Sequence, residues 1–339
     1  MMSDTVLEIV AKEAMQMDGI RSYLGVVARN PMLSPLNQAL LYFQNPKSGL
    51  VCGRTAWEAM GREVRADAVP VTLYVPEIVI GGDGVRADYK VVGVFGEEVT
   101  VDRGNGDEHE SPGRVREDFS CSSGMTGDFD LVGRILETMG ATTEMIEAEV
   151  LDDPFSHGMY DRERKVFFLE KGSPGEIQVR TVAELFVEEM ARQREVGDKV
   201  LILAVKDAVL QRYGVEAEIT NALYAGLDRY GMDEKVGFLL ALGRLVMEVV
   251  QEIEGRCLSF DETAFVNGMF DTDDKDELVL RCMQGAGNAE DEMLSEELRL
   301  FGEKLLYMDG DCVKRLCRMR EERRVSQVSV KRIRSVPTI

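Results

Sequence analysis

Residues 102–127 constrain this chain more than any other stretch. They run Asp102-Arg103-Gly104-Asn105-Gly106-Asp107-Glu108, then Ser111-Pro112-Gly113, then Ser122-Ser123-Gly124. A polar, glycine-rich segment without period offers no apolar face for a helix or strand to bury. The chain must therefore fold as modules on either side, and 339 residues allow two or three of them. The divisions expected are a first module over 1–104, a linker over 105–127, a second module over 128–255, an acidic helical region over 256–313, and a basic helix and tail over 314–339. Hydrophobic residues make up 45% of the chain, enough for a sizeable core.

Hydrophobic spacing predicts the elements. Val6, Ile9, Val10, Met17, Ile20, Leu24 and Val27 place one helix over 5–29, which Asn30-Pro31 stops. Ser34-Pro35 restarts a helix through Leu36, Leu40, Leu41 and Phe43, ending near Asn45-Pro46. Thr55 is expected to cap a short helix carrying Trp57 and Met60. Strands follow over Val69–Ile80, Asp88–Phe95 and Val99–Val101, the first two joined by a turn at Gly81, Gly82 and Gly84. In the second module a helix is expected over Asp130–Met139, then strands at Glu147–Leu151 and Val166–Leu169, with a turn over Ser156–Asp161 between them. Helices then cover about 179–194, 200–213, 216–230 and 234–254. In the last, Val236, Leu239, Leu242, Val246, Val249, Val250 and Ile253 form one stripe. Acidic helical segments cover 261–309. The fold class read from this pattern is α+β: N-terminal helices with a small antiparallel sheet, a second α+β module, then a mostly helical C-terminal region.

Charge is unevenly spread. The net charge is −21, yet residues from Lys314 onward carry nine Lys/Arg against two Glu, a +7 tail that leaves −28 for residues 1–313. An acidic body repels duplex phosphates, although its commonest role is solubility. The tail (Lys314, Arg315, Arg318, Arg320, Arg323, Arg324, Lys331, Arg332, Arg334) has two readings: a grip on nucleic acid, or docking on the acidic body of its own or a neighbouring chain. No apolar run reaches the length of a membrane span, and no export signal is seen, so a cytoplasmic protein without a membrane partner is expected. Six scattered cysteines without a Cys-x-x-Cys pair then read as reduced thiols. Asp271–Glu277 lacks the glycine and glutamate of a calcium loop, having Asp276 and Cys282 at those positions, and reads as a helix N-terminus.

The stretch from Asn30 to Pro46, followed by Val51 to Val64, resembles the N-terminal domain of the ArdC/LtrC-like antirestriction family of plasmids, phages and conjugative elements. The matching residues are Ser34, Asn37, Leu40-Leu41, Gln44, Pro46, Trp57, Gly61-Arg62 and Pro76; Val94-Phe95 matches a later strand, with Gly96 where the family has Asp. The resemblance implies a module that binds single-stranded DNA. From Ile20 to Arg65 the chain has six basic residues against two Glu, and basic groups beside aromatic faces suit sequence-tolerant binding of single strands. The candidate DNA-binding residues are Arg29, Asn37, Tyr42, Gln44, Lys47, Arg54, Trp57, Arg62 and Arg65. Each has a plainer reading: Trp57 and Tyr42 as core, Asn37 as a helix residue bonding nearby backbone, the arginines as surface charge. Phe43 is read as core.

The resemblance also implies a second module with a zinc metallopeptidase (zincin-like) fold. Gly158-Met159-Tyr160, Val166–Leu169 and Thr181 match its approach. A His-Glu-x-x-His helix is then expected; aligning on Glu188 puts Val187 and Ala191 at the histidine positions, and aligning on Glu184 or Glu189 finds no histidine either. Two histidines one helical turn apart hold zinc, and the glutamate polarises its water. Valine and alanine cannot ligate, and the chain has only two histidines, His109 and His157. The expectation is therefore no metal, no cofactor and no peptidase activity, with Glu188 vestigial. Two functions compete: a single-stranded-DNA-binding antirestriction protein, with a restriction or defence nuclease as a further partner, or an acidic module that binds a host defence or DNA-processing protein without touching DNA.

Overall fold

A computed structural model describes residues 2–81, 84–102, 130–151, 156–216, 221–254, 274–289 and 292–307. The expected linker, the Gly82-Asp83 turn tip, the first residues (271–273) of the acidic run 271–277 and the basic helix and tail lie outside these. The protein is α+β, as its hydrophobic patterning requires. It divides into two compact units, Met1–Leu73 with Gly93–Arg256, and Tyr74–Val92 with Cys257–Ile339.

The first unit begins with two helices where the spacing predicts one: α1 (Met2–Ala14) and α2 (Met17–Arg29). The sequence marked the break with Gly19. A Cβ there would lie 2.0 Å from the Glu13 carbonyl oxygen, so only glycine lets the two helices meet this closely. Helix α3 (Pro35–Gln44) starts as expected, the Ser34 hydroxyl accepting from the Asn37 N–H at 3.4 Å. Helix α4 (Arg54–Ala59) is capped by Gly53, not Thr55. Two strands too short for a periodicity to register flank it, β1 (Val51–Cys52) and β2 (Arg62–Val64). The long strands β3 (Val71–Gly81) and β4 (Gly84–Gly96) form the expected hairpin, most of which (Tyr74–Val92) belongs to the second unit; the end of β4, at Phe95 and Gly96, pairs with β1. Strand β5 (Thr100–Asp102) pairs antiparallel with β2.

After α5 (Leu131–Met139) comes a second sheet, and here the expectations need correcting. The strand expected over Glu147–Leu151 lies earlier, as β6 (Thr142–Ile146), while 148–150 form a single 3-10 turn. The expected turn over Ser156–Asp161 contains a strand, β7 (Gly158–Asp161). Strand β8 (Val166–Glu170) sits between them, parallel to β6 and antiparallel to β7. Four strand residues at β7 give too little alternation to outweigh Ser-His-Gly at its start. Gly158 sits where a Cβ would meet the Phe168 carbonyl oxygen at 2.5 Å and the Thr181 methyl at 2.8 Å. That contact seats β7 against α6 (Gly175–Gln193) and gives Gly158 and Thr181 a shared structural task.

Helices α7 (Lys199–Arg212), α8 (Asn221–Leu227) and α9 (Met232–Glu254) complete this unit. The α9 stripe is buried as expected, with Leu239, Leu242, Val246, Val249 and Val250 fully enclosed. Helices α1, α3, α5 and α7 all pack on α9, while α2 and α6 pack on α7. The α3–α9 approach is close: a Cβ on Gly243 would lie 2.2 Å from Gln38 Oε1. In the second unit, α10 (Lys275–Gly287) and α11 (Glu292–Tyr307) form an antiparallel-type helical pair around Leu278, Cys282, Leu298 and Phe301. Asp274 caps α10 by accepting from the N–H groups of Asp276 and Glu277, the helix-start role expected of that acidic run. No helix among the described residues is long and apolar enough to cross a membrane.

Candidate functional site

The motif residues of the first module turn out to be mostly its framework. Asn30 is buried and works as a hub: its side-chain amide donates to the Val26 and Gly49 carbonyls, its oxygen accepts from the Val51 N–H, and its own carbonyl accepts from Gln38. Gln44 imitates a strand residue. It donates to the Thr72 carbonyl at 2.7 Å and accepts from the Thr72 N–H at 2.8 Å, tying the end of α3 to β3.

Four of the nine candidate DNA contacts are enclosed. Trp57 is 0% exposed, among Leu50, Cys52 and Val64, and donates from its indole to the Phe95 carbonyl at 2.8 Å. A stacking platform needs an open face, so Trp57 is a core residue. Tyr42 is buried edge-on against Tyr23 at 5.5 Å, and its phenol pKa is raised by burial and then by Glu13. Asn37 is fully buried in α3. Arg62 is buried too; Nε donates to the Thr100 hydroxyl at 2.7 Å and Nη1 to Asp102 at 3.0 Å, and the guanidinium lies over the Trp57 ring. For Trp57, Arg62 and Tyr42 the burial has one cause: each side chain finds its partner on β4, on β5 or on α2, far along the chain.

The exposed candidates are Arg29, Gln44, Lys47, Arg54 and Arg65. Arg29 spends Nε on the Ser48 carbonyl, and burial lowers its pKa while Glu98 raises it. Arg54 donates to the Val64 carbonyl and lies over Phe95 at 4.9 Å. Arg65 stands 3.8 Å from Asp67 with half of its side chain in solvent. Phe43, expected in the core, is 45% exposed. Helical spacing puts Phe43 on the same face as the buried Leu36 and Leu40, so the pattern carries no signal of its exposure in the last turn of α3. Acidic residues intrude as well. Asn45 donates to Glu98 at 2.9 Å, and Glu97 and Glu98 both lie against Gly49.

In the second module, the face of α6 that the Glu188 alignment assigns to ligands points inward. Val187 and Ala191 are fully enclosed by the apolar core, while Glu188 is exposed and paired with Lys206 at 2.6 Å. Of the residues one position on, Glu188 and Arg192 are about half exposed while Glu189 is enclosed. Glu189 is 5% exposed and accepts from Arg162, Arg192 and Gln193. These partners, Arg192 first, hold its carboxyl down at about 2. A dication does not fit here, because two guanidiniums already occupy the carboxylate's lone pairs and would repel it. His157 lies apart from this cluster, with Nδ1 2.6 Å from Glu170, whose carboxyl also accepts from Ser173 and is held below its usual range chiefly by these two bonds. Among the described residues no three His, Cys, Asp or Glu side chains converge as a metal site would require.

By its elements this is an α+β protein with a motif-bearing helical module, whose second module carries an arginine-bound glutamate on its central helix. No protein-family model matches the chain, and no curated protein does. Among solved structures it is similar to the metal-free crystal structure of the antirestriction ArdC protein from R388 plasmid, at 9% identity and a TM-score of 0.43, over 74% of this chain and 98% of that one. The Mn(II)-bound structure of the same protein gives 9% identity and a TM-score of 0.44, over 74% and 97%. Both are structures from the family that residues 30–64 resemble.

Proposed function

We propose that this chain is an ArdC-like antirestriction protein of a mobile element that binds single-stranded DNA through its first module and does not hydrolyse peptides. The observation that carries the DNA reading is Phe43, a large aromatic face left in solvent on the motif helix, with Lys47, Arg54 and Arg65 exposed on the same module. Exposed aromatic rings accept any base, and mobile basic side chains follow the backbone. The framework residues Asn30, Gln44, Trp57 and Arg62 hold that surface in place. Support for the second half comes from Glu189: a carboxylate saturated by two arginines has no lone pair to serve as a general base.

The test is fluorescence anisotropy with labelled single-stranded and duplex oligonucleotides at low and high salt, using intact protein and a Lys47→Ala/Arg65→Ala variant. Single strands should bind better, and the log–log salt slope should fall by about 0.7 for each phosphate contact removed. Binding that ignores salt, or none at low salt, would defeat this reading. It would favour the second one, a basic protein partner, for which Glu97 and Glu98 beside the Arg29 loop are the specific attraction.

A further inference from the structure

The Glu189 carboxylate holds two arginines at once. Arg162 Nε and Arg192 Nε donate to the same carboxylate oxygen, at 2.7 and 2.9 Å, so two like charges are held within a few ångströms of each other. Arg192 also reaches the second oxygen, as does Gln193 at 3.0 Å. The carboxylate side chain is 6% exposed; the Arg162 and Arg192 side chains are 59% and 48% exposed. The anion is thus buried and fully engaged while both cations remain half in water. Among the described residues, Nη1 and Nη2 of Arg162 and Nη1 of Arg192 make no hydrogen bond. The turn that carries Arg162 is fixed, since Asp161 accepts from the N–H groups of Glu163 and Arg164 at 3.0 Å. Burial raises the pKa of the neighbouring Tyr160 phenol, with Glu189 and Asp161 raising it further and Arg162 lowering it.

Two anchored guanidinium forks with spare donors suit the oxygens of a tetrahedral oxyanion. We infer that Arg162 and Arg192, oriented by Glu189, form a binding site for a phosphate group. The site stands independently of DNA binding by the first module. Its phosphate comes either from a small phosphorylated molecule or from the end of a nucleic-acid strand.

Inorganic phosphate titrated into intact 15N-labelled protein, against chloride at matched ionic strength, tests this through the arginine Nε–Hε resonances, with Arg162→Lys and Arg192→Lys identifying the two signals. Phosphate should shift both to saturation, and Arg162→Ala should weaken it about tenfold. Arg134→Ala, on α5, should leave it unchanged. A 5′-phosphorylated oligonucleotide binding more tightly than free phosphate, and more tightly than its 5′-hydroxyl counterpart, assigns the strand end as the source. Equal affinity of both oligonucleotides, below that of free phosphate, assigns a small molecule. If Arg162→Ala loses its fold, Arg162→Lys decides, because it keeps the charge without the fork and should bind several-fold more weakly. Chloride shifting the resonances as phosphate does, or unaltered phosphate affinity in these variants, overturns the inference.

Discussion

Arg62 and Arg162 are both arginines that bond through Nε, and they do different work. Arg62 is enclosed, with a hydroxyl and a carboxylate for partners and an indole face beneath it. Arg162 has one partner, shares it with a second arginine, and keeps more than half of its side chain in solvent. The first arginine closes a structure; the second leaves it open. The same contrast separates Trp57 from Phe43, the one buried and hydrogen-bonded, the other half in water. In this protein the residues most noticeable as a motif are the ones least able to meet a ligand.

Trp57→Ala is the hardest test of that contrast. Removing a fully enclosed indole should cost about 3–5 kcal/mol, read as a fall in the denaturation midpoint, because a cavity opens and the Phe95 carbonyl loses its donor. A small change in stability with a large loss of DNA affinity would place Trp57 on the binding surface after all. Next come two buried carboxylates with opposite pH behaviour. Asp207 on α7 is 5% exposed with neither oxygen in a normal hydrogen bond, and burial pushes it up to about 6 against weaker pulls from Gln211 and Arg21. Its native pKa lies above the unfolded value of 3.8, so its stability cost is absent below that pH, grows as pH rises towards 6, and is complete above. Asp207→Asn should therefore stabilise the protein at pH 7, by up to about 2–3 kcal/mol, with little effect at pH 4. Glu189 runs the other way. Its native pKa of about 2 lies below 4.5, so its contribution is present above pH 4.5 and is lost as pH falls towards 2. Glu189→Gln should cost about 2 kcal/mol at pH 7 and flatten the acid limb of the stability profile. Equal pH profiles for wild type and both variants would sink this assignment. The smallest effect is Phe43→Ala: roughly 1–2 kcal/mol less affinity for single strands, with the unfolding midpoint within about 0.5 kcal/mol of wild type.

The fold class was legible because α9 and the β3–β4 hairpin carry strong periodicities, and period is a local property. Strands β1, β2 and β7 were not, because two to four residues cannot establish alternation, and their existence depends on partners elsewhere: β1 on β4, β2 on β5, β7 on β8. Burial was the harder part of the site. Whether Trp57 is a platform or core rests on a carbonyl 38 residues away. How the enclosed Glu189 of α6 is neutralised rests on Arg162, from a turn that precedes β8. The sequence holds Glu188, Glu189 and Arg192 in plain view; only the helix's packing on α7 and β7 says which of them is enclosed.

Helix α1 packs on α9, which lies roughly two hundred residues further along the chain. During synthesis at about 5–20 residues per second, α1 would leave the ribosome on the order of ten to forty seconds before its partner exists. Leu7, Val10, Ala11 and Ala14, all enclosed in the finished protein, have only α2 and α3 to pack on through that interval. A chaperone that shields nascent apolar helices would find its longest opportunity here.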